Sequence, residues 1–222
     1  MDFQPGIAPL PVEWRTSREP VEYAAAVAVM EDRVEAIRAG GTPELVWLVE
    51  HPSLFTAGTS ARDEELLDPR RLPVYRTGRG GRWTYHGPGQ RIAYVMLDLV
   101  RRRLDVHCFV HYLEDWGIAA FARFGVAGER REGRIGIWAA ASGREAKIAA
   151  IGVRVRRGVT YHGIAFNIDP DLGHYRGIVP CGLADYGVTS LAALGMRATN
   201  AEMDAALKAG FAEAFERPAL CR

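Results

Sequence analysis

Residues 76–90 read RTGRGGRWTYHGPGQ, with five glycines and three arginines set around Trp83, Tyr85 and His86. Glycine at this density lets a backbone come close to a ligand, because the missing Cβ removes bulk and admits positive φ. The stretch lies between an apolar, strand-like piece at 73–75 and a clear strand at 92–99, so it reads as a holding loop set on a sheet. Phosphate is the first ligand to weigh. GxGxxG fails because Trp83 stands where the third glycine would be, and no Gly-Lys-Ser/Thr follows to make a P-loop. An elaborate hairpin loop that holds nothing is the competing reading of the same composition.

Outward from this loop, hydrophobic periodicity assigns the remaining elements. Pro20 and the stripe Tyr23, Val27, Met30, Val34 and Ile37 predict a helix over 19–39, ended by Gly40 and Gly41. LVWLVE at 45–50 predicts a strand, 55–62 a loop and 63–67 a short helical turn. A second helix is expected over 106–124, with Phe109, Leu113, Trp116, Ala120 and Phe124 on one face. Strands follow at 135–140, 147–155 and 159–168. A last helix is expected over 200–216, with Asn200 as its N-cap.

The strands at 147–155 and 159–168 are joined by Arg156-Arg157-Gly158, which suits a three-residue hairpin turn closed by a left-handed glycine. Pairing Val155 with Val159 sets Lys147 opposite Asn167. It also puts Lys147, Ala149, Ile151, Gly163, Ala165 and Asn167 on one face, and a one-residue slip reverses that assignment. Lysine among small side chains leaves room for a slender apolar group.

These elements make an α+β fold, a mixed sheet flanked by helices, in one domain over 1–222 whose first 17 or so residues form an extended arm. The 222 residues carry 48% hydrophobic and 25% charged side chains and a net charge of only +1. No field-wide attraction to nucleic acid or to a membrane surface follows from that balance. No apolar run approaches the ~20 residues of a membrane span. The start MDFQPGIAPLPVEW has neither a secretory nor a transit pattern, so a cytoplasmic location is expected. Cys108, Cys181 and Cys221 are too few and too scattered for a disulfide framework and read as free thiols.

Chemistry has few candidate carriers. Cys181 sits in Pro180-Cys181-Gly182, a turn that presents its thiol away from any apolar stripe, although a lone cysteine also serves as inert packing. A nucleophilic thiol needs a cation or base beside it. Lys147 is one of only two lysines in the chain, the other being Lys208; unlike arginine, it exchanges its proton when desolvated. Whether Lys147 and Cys181 meet depends on the tertiary fold. His107 and His111 have an i,i+4 spacing that suits zinc, but no further ligand cluster completes a site, and no metal is expected. Thr-Tyr-His-Gly occurs twice, at 84–87 and 160–163.

With RGGRWTYHGPGQ, AKIAAIGVRVRRGVTYHG, AFNIDPDL and IVPCGLADYGVTSL present in this order, the chain resembles the lipoyl(octanoyl) transferases of lipoate biosynthesis over about residues 23–191. The resemblance implies the catalytic fold shared with biotin and lipoate ligases, with the glycine-rich loop at 79–90. It implies catalytic residues Cys181, carrying the acyl group as a thioester, and Lys147, lowering the thiol pKa. The acyl site would be lined by Arg79, Gly80, Gly81, Arg82, Trp83, Thr84, Tyr85 and His86, by Ala150, Ile151 and Gly152, and by Gly163, Ile164 and Ala165. Implied partners are octanoyl-acyl carrier protein and the lipoyl domains of 2-oxoacid dehydrogenases or the glycine cleavage H protein. Neither nucleic acid nor membrane is expected as a partner, and no cofactor is implied. Arg154, Arg156, Arg157 and the ERREGR turn at 129–134 are the expected docking charges for acidic partners. An ATP-dependent ligase on the same fold and a non-catalytic acyl-binding module are the competing functions.

Overall fold

Strands that are apolar along their whole length become the centre of the sheet, because both of their faces can be covered. The computed structural model describes residues 11–141, 143–182 and 186–215. β2 (Glu44–Val49), β6 (Gln90–Met96) and β9 (Val159–Asn167) are buried at every residue. They lie side by side in a seven-stranded mixed sheet. The order is β1 (Val12–Thr16), β2, β6, β9, β8 (Arg144–Arg156) and β10 (Gly187–Val188), and β7 (Ile137–Ala141) also pairs with β8. β1, in the stretch expected as an extended arm, runs parallel to β2 at the sheet edge.

Helix α1 (Tyr23–Arg38) packs one face of this sheet through Ala26, Met30, Val34 and Ile37. It starts later than Pro20 suggests. α3 (Val106–Ala122) and α4 (Asn200–Phe215) cover the other face, where Trp116 meets Phe166, Phe211 and Phe215 edge-on and the last two rings stack on each other. The cap of α4 is Thr199 rather than Asn200. Thr199 Oγ1 accepts the Glu202 N–H, and the Glu202 carboxylate accepts the Thr199 N–H at 2.8 Å. α2 (Leu99–Arg102) is a single turn after β6.

A second, three-stranded sheet stands over the α1-side face. It contains β4 (Val74–Arg76), β3 (Leu54–Ala57) and β5 (Trp83–His86) in the order β4-β3-β5. The latter half of the glycine-rich stretch is therefore a strand, and so is the start of the segment read as a loop at 55–62.

The β8–β9 register departs from the expected one. Arg156 pairs Val159 and Val155 pairs Thr160, so the turn is the two-residue Arg157-Gly158, both with positive φ, rather than a three-residue loop. That slip alone would send Lys147 to the opposite face from Gly163 and Ala165. A second irregularity reverses it. β8 carries one extra residue against β7, which pairs Trp138 with Lys147 but Ile137 with Ala149. Ile148 and Ala149 then both enter the core under α3, and the α1-side face carries Lys147, Ala150 and Gly152. Small residues do lie beside Lys147, but Ala150 and Gly152 take the places expected for Ala149 and Ile151.

Candidate active site

Between the two sheets lies a cavity of about 450 Å³. Its floor is the α1-side face of β6, β9 and β8, where Ile92, Ala165 and Ala150 form one cross-strand row and Tyr94, Gly163 and Gly152 the next. Arg79, Gly80, Gly81, Arg82, Trp83, Thr84 and His86 line the walls and roof, and Lys147 and Cys181 both face into the same space. Of the sequence-designated lining residues, Tyr85 alone is not on this wall. Its ring packs with Phe55, His174 and Tyr175 behind the small sheet. A smaller recess of about 10 Å³ lies against the same dyad, bounded also by Asn167, Tyr175, Trp138 and Tyr186.

The loop is organised by Arg79. Its guanidinium donates to Thr56 O at 2.8 Å, Arg82 O at 2.9 Å and Gly80 O at 2.9 Å, and its Nε donates to Thr56 Oγ1 at 3.1 Å. This fixes 79–82 against β3. Gly152 lets the same side chain lie on β8, since a Cβ there would be 3.0 Å from Arg79 Cδ. Burial lowers the Arg79 pKa, yet a guanidinium stays charged at neutral pH, and among the described residues no carboxylate pairs with it. The cavity therefore holds a fixed positive charge.

Lys147 is 7% exposed. Its ammonium donates to Ile135 O at 2.8 Å and sits 4.9 Å from the centre of the Trp138 ring. Gly136, at φ +121°, gives its stem passage, because a Cβ would come within 3.2 Å of Lys147 Cε. The N–H of that glycine is held by the buried Glu114 at 3.1 Å. Next to the lysine, Thr189 N–H bonds Lys147 O at 2.9 Å, and Asn167 Nδ2 holds Thr189 O at 2.9 Å.

Cys181 has φ 55°, ψ 16°, and Gly182 φ 68°, consecutive left-handed residues that thrust the thiol out of the chain. The turn rests on a segment that sequence reasoning did not single out. Val179 N–H bonds Glu65 O at 2.7 Å, while the Glu65 carboxylate pairs with Arg82 at 2.5 Å. Arg82 in turn lies so closely on Gly182 that a Cβ there would meet its Nη1 at 2.2 Å. The Gly182 N–H is taken by Val179 O at 3.1 Å, which removes it from the oxyanion donors.

The far end of the cavity is aromatic, with Tyr23, Tyr94, His86 and His162 on its walls. His51 Nδ1 lies 2.5 Å from Val21 O, a carbonyl that only accepts, so Nδ1 carries the proton and Nε2 accepts the Tyr94 hydroxyl at 2.5 Å. His86 Nδ1 donates to Gln90 Oε1 at 2.6 Å, and Gln90 Nε2 donates onward to Asn167 Oδ1 at 2.8 Å. Burial holds the pKa of His51 to about 4 and those of His86 and His162 to about 3. All three imidazoles are neutral, so this end is a greasy wall despite its composition. His162 adopts φ 61° in mid-strand, a strained conformation at the site.

The expected docking charges are largely neutralised within the chain. Arg130 pairs with Asp115 and Glu114, Arg131 and Arg134 with Glu145, and Arg156 and Arg157 with Glu35. Arg154 instead lies over the Tyr161 ring and across Gly78 at the cavity rim. Cys108 is buried in α3, and Cys221 falls outside the described residues. Among the described residues no His/Cys/Asp/Glu cluster could hold a metal ion, and no helix is long and apolar enough to cross a membrane.

Residues 22–212 match the model of the lipoyl protein ligase A/B catalytic domain. An octanoyltransferase of Paramagnetospirillum magneticum is 63% identical over 206 residues, covering 92% of this chain and 97% of that one. One from Chelativorans is 59% identical over 214 residues, covering 92% and 87%. Among solved structures, the bipartite lipoate protein ligase of Thermoplasma acidophilum superposes with a TM-score of 0.70 at 17% identity, covering 93% of this chain and 85% of that one. A lipoate-protein ligase A bound with ATP gives 0.68 at 17% identity, covering 92% and 86%. The last two likenesses speak to the fold, and the first three to lineage: this chain belongs to the lipoyl protein ligase A/B catalytic family and, within it, to the octanoyltransferases.

Proposed function

We propose that this acyltransferase moves an octanoyl group from octanoyl-acyl carrier protein to a lysine of a lipoyl domain, through a thioester on Cys181. The acceptors are the lipoyl domains of 2-oxoacid dehydrogenases or the glycine cleavage H protein, and the setting is lipoate biosynthesis in the cytoplasm. The observation that carries the mechanism is the shared cavity, where a turn-presented thiol and a buried lysine open onto one slot floored by alanine and glycine.

In the first half-reaction the Cys181 thiolate attacks the carrier thioester. A C–S bond forms to Cys181, the bond to the carrier's sulfur breaks, and that sulfur leaves as a thiol with a proton from the Lys147 ammonium, which is left neutral. The charges of Lys147 and Arg79 favour both the attacking thiolate and the oxyanion of the tetrahedral intermediate. Each methylene of the chain that leaves water for the slot contributes about 0.8 kcal/mol. In the second half the acceptor lysine loses a proton and attacks the new thioester. Lys147, left neutral by the first half-reaction, accepts that proton, and the departing Cys181 sulfur takes the second proton lost as the amine becomes an amide. A thioester becomes an amide, a downhill exchange that needs no ATP and no cofactor.

The test is octanoyl transfer to an isolated lipoyl domain, with and without ATP, by the unsubstituted protein and by Cys181→Ser. Transfer without ATP that disappears in Cys181→Ser is expected. A strict ATP requirement, with Cys181 dispensable, would mark a ligase; tight acyl binding with neither adduct nor transfer would mark a binding module.

A further inference from the structure

We propose that Tyr94, braced from behind by His51, is the depth stop of the slot and sets the length of acyl chain the enzyme accepts. The proposal rests on the acyl-transfer reading of this cavity. Going away from Lys147, the floor passes from the Ala150–Ala165–Ile92 row to the Gly152–Gly163–Tyr94 row. Successive rows on one face lie about 7 Å apart. In the second row two positions have no side chain at all, and Tyr94 supplies the one bulky group.

That ring has nowhere to go. It is 3% exposed, and its hydroxyl is tied to His51 Nε2 at 2.5 Å. Trp47 packs at 6.2 Å and His162 at 6.1 Å between ring centres. His51 is itself anchored to Val21 O, in the segment just ahead of α1, and the Val21 N–H is tied back to Glu50 O at 2.8 Å, so the brace is fixed by the main chain on both sides. Across the row, Arg79 lies on Gly152, and a longer chain would have to meet its charge.

The test measures acylation of Cys181 by intact mass, and transfer rates, for hexanoyl, octanoyl, decanoyl and dodecanoyl thioesters. Tyr94→Ala opens space for about two further methylenes, so its kcat/KM ratio of decanoyl to octanoyl should rise about tenfold or more. Tyr94→Phe keeps the ring and should hold that ratio within about twofold. Ala150→Leu fills the nearer row without touching the stop, and should shift preference from octanoyl toward hexanoyl. That variant decides the matter if Tyr94→Ala fails to fold. An octanoyl-active Tyr94→Ala with an unchanged ratio, or an Ala150→Leu with no penalty against octanoyl, overturns the depth stop alone. Failure of the unsubstituted protein to take octanoyl on Cys181 overturns the acyl-transfer reading with it.

Discussion

Lowering the pH from 7.5 to 5.5 should destabilise the fold through three buried histidines. His51, His86 and His162 are buried, with pKa values of about 4, 3 and 3. In the unfolded chain each returns to about 6.5. The folded values lie below the unfolded ones, so the unfolded state takes up the protons. Stability is full above about pH 6.5 and falls as the pH drops toward the folded values. At pH 5.5 each histidine costs about 1.4 kcal/mol, or about 4 kcal/mol for the three. Against a typical domain stability of about 5–15 kcal/mol, that is a large fraction. The carboxylates with depressed pKa, Glu13 and Glu145 among them, act only at lower pH and leave this window clear.

The assay is urea unfolding followed by tryptophan fluorescence at pH 7.5, 6.5 and 5.5. His162→Asn is the informative variant, because asparagine tolerates the φ of 61° while removing one titrating group. It should lower the pH dependence by about a third. A stability unchanged between pH 7.5 and 5.5 would refute the reasoning, as would NMR titration of these histidines near pH 6.5.

Gly136→Ala should cost about 1–3 kcal/mol of stability, since its φ of +121° is closed to alanine. It should also slow acylation by displacing Lys147, and thermal melts paired with intact-mass time courses check both. Glu65→Ala removes the partner of Arg82 beneath the Cys181 turn and should cost about 1–3 kcal/mol, with slower thiol alkylation and no change in acyl-length preference. Reversing Arg156 and Arg157 to glutamate should slow turnover of the carrier-bound acyl group more than that of a small acyl thioester; equal loss on both contradicts docking there. Their pairing with Glu35 is exposed and contributes at most about 1 kcal/mol, so stability should barely move.

Long, periodic segments were legible in the sequence. α1, α3 and α4 lie close to where Met30, Leu113 and Leu207 recur at helical spacing, β2 and β6 hold the apolar runs that begin at Leu45 and Ile92, and β9 follows the glycine turn after β8. The small sheet was not legible. LFTA and WTYH are four residues each and become strands by pairing with one another across the glycine-rich loop, with β4 along the other edge of LFTA. VEWRT gives no local sign of its parallel partner thirty residues on. The hairpin turn was disguised because Arg157, a non-glycine, takes the left-handed conformation that glycine or asparagine usually signals. The bulge at Ile148–Ala149 depends on β7 and leaves no local mark.

Of the site, the types of residue were readable and their meeting was not. Cys181 and Lys147 stood out by turn chemistry and rarity, but their shared cavity arises from the crossing of two sheets. The supporting groups Glu65 and His51 went unnoticed, since nothing in their neighbours marks a buried polar residue. A glutamate three residues after Arg62 in a short turn reads as an exposed charge, yet it is 6% exposed under Arg82.

The thioester is the central claim, and one single-turnover experiment reaches it most directly. The protein is loaded with octanoyl-acyl carrier protein, freed of carrier, and chased with a lipoyl domain in the absence of ATP while intact masses are followed. The octanoyl mass should appear on Cys181, then leave at a rate matching steady-state turnover as the lipoyl-domain lysine gains it. An adduct that stays on the enzyme, or transfer that proceeds without any adduct forming, would contradict the account.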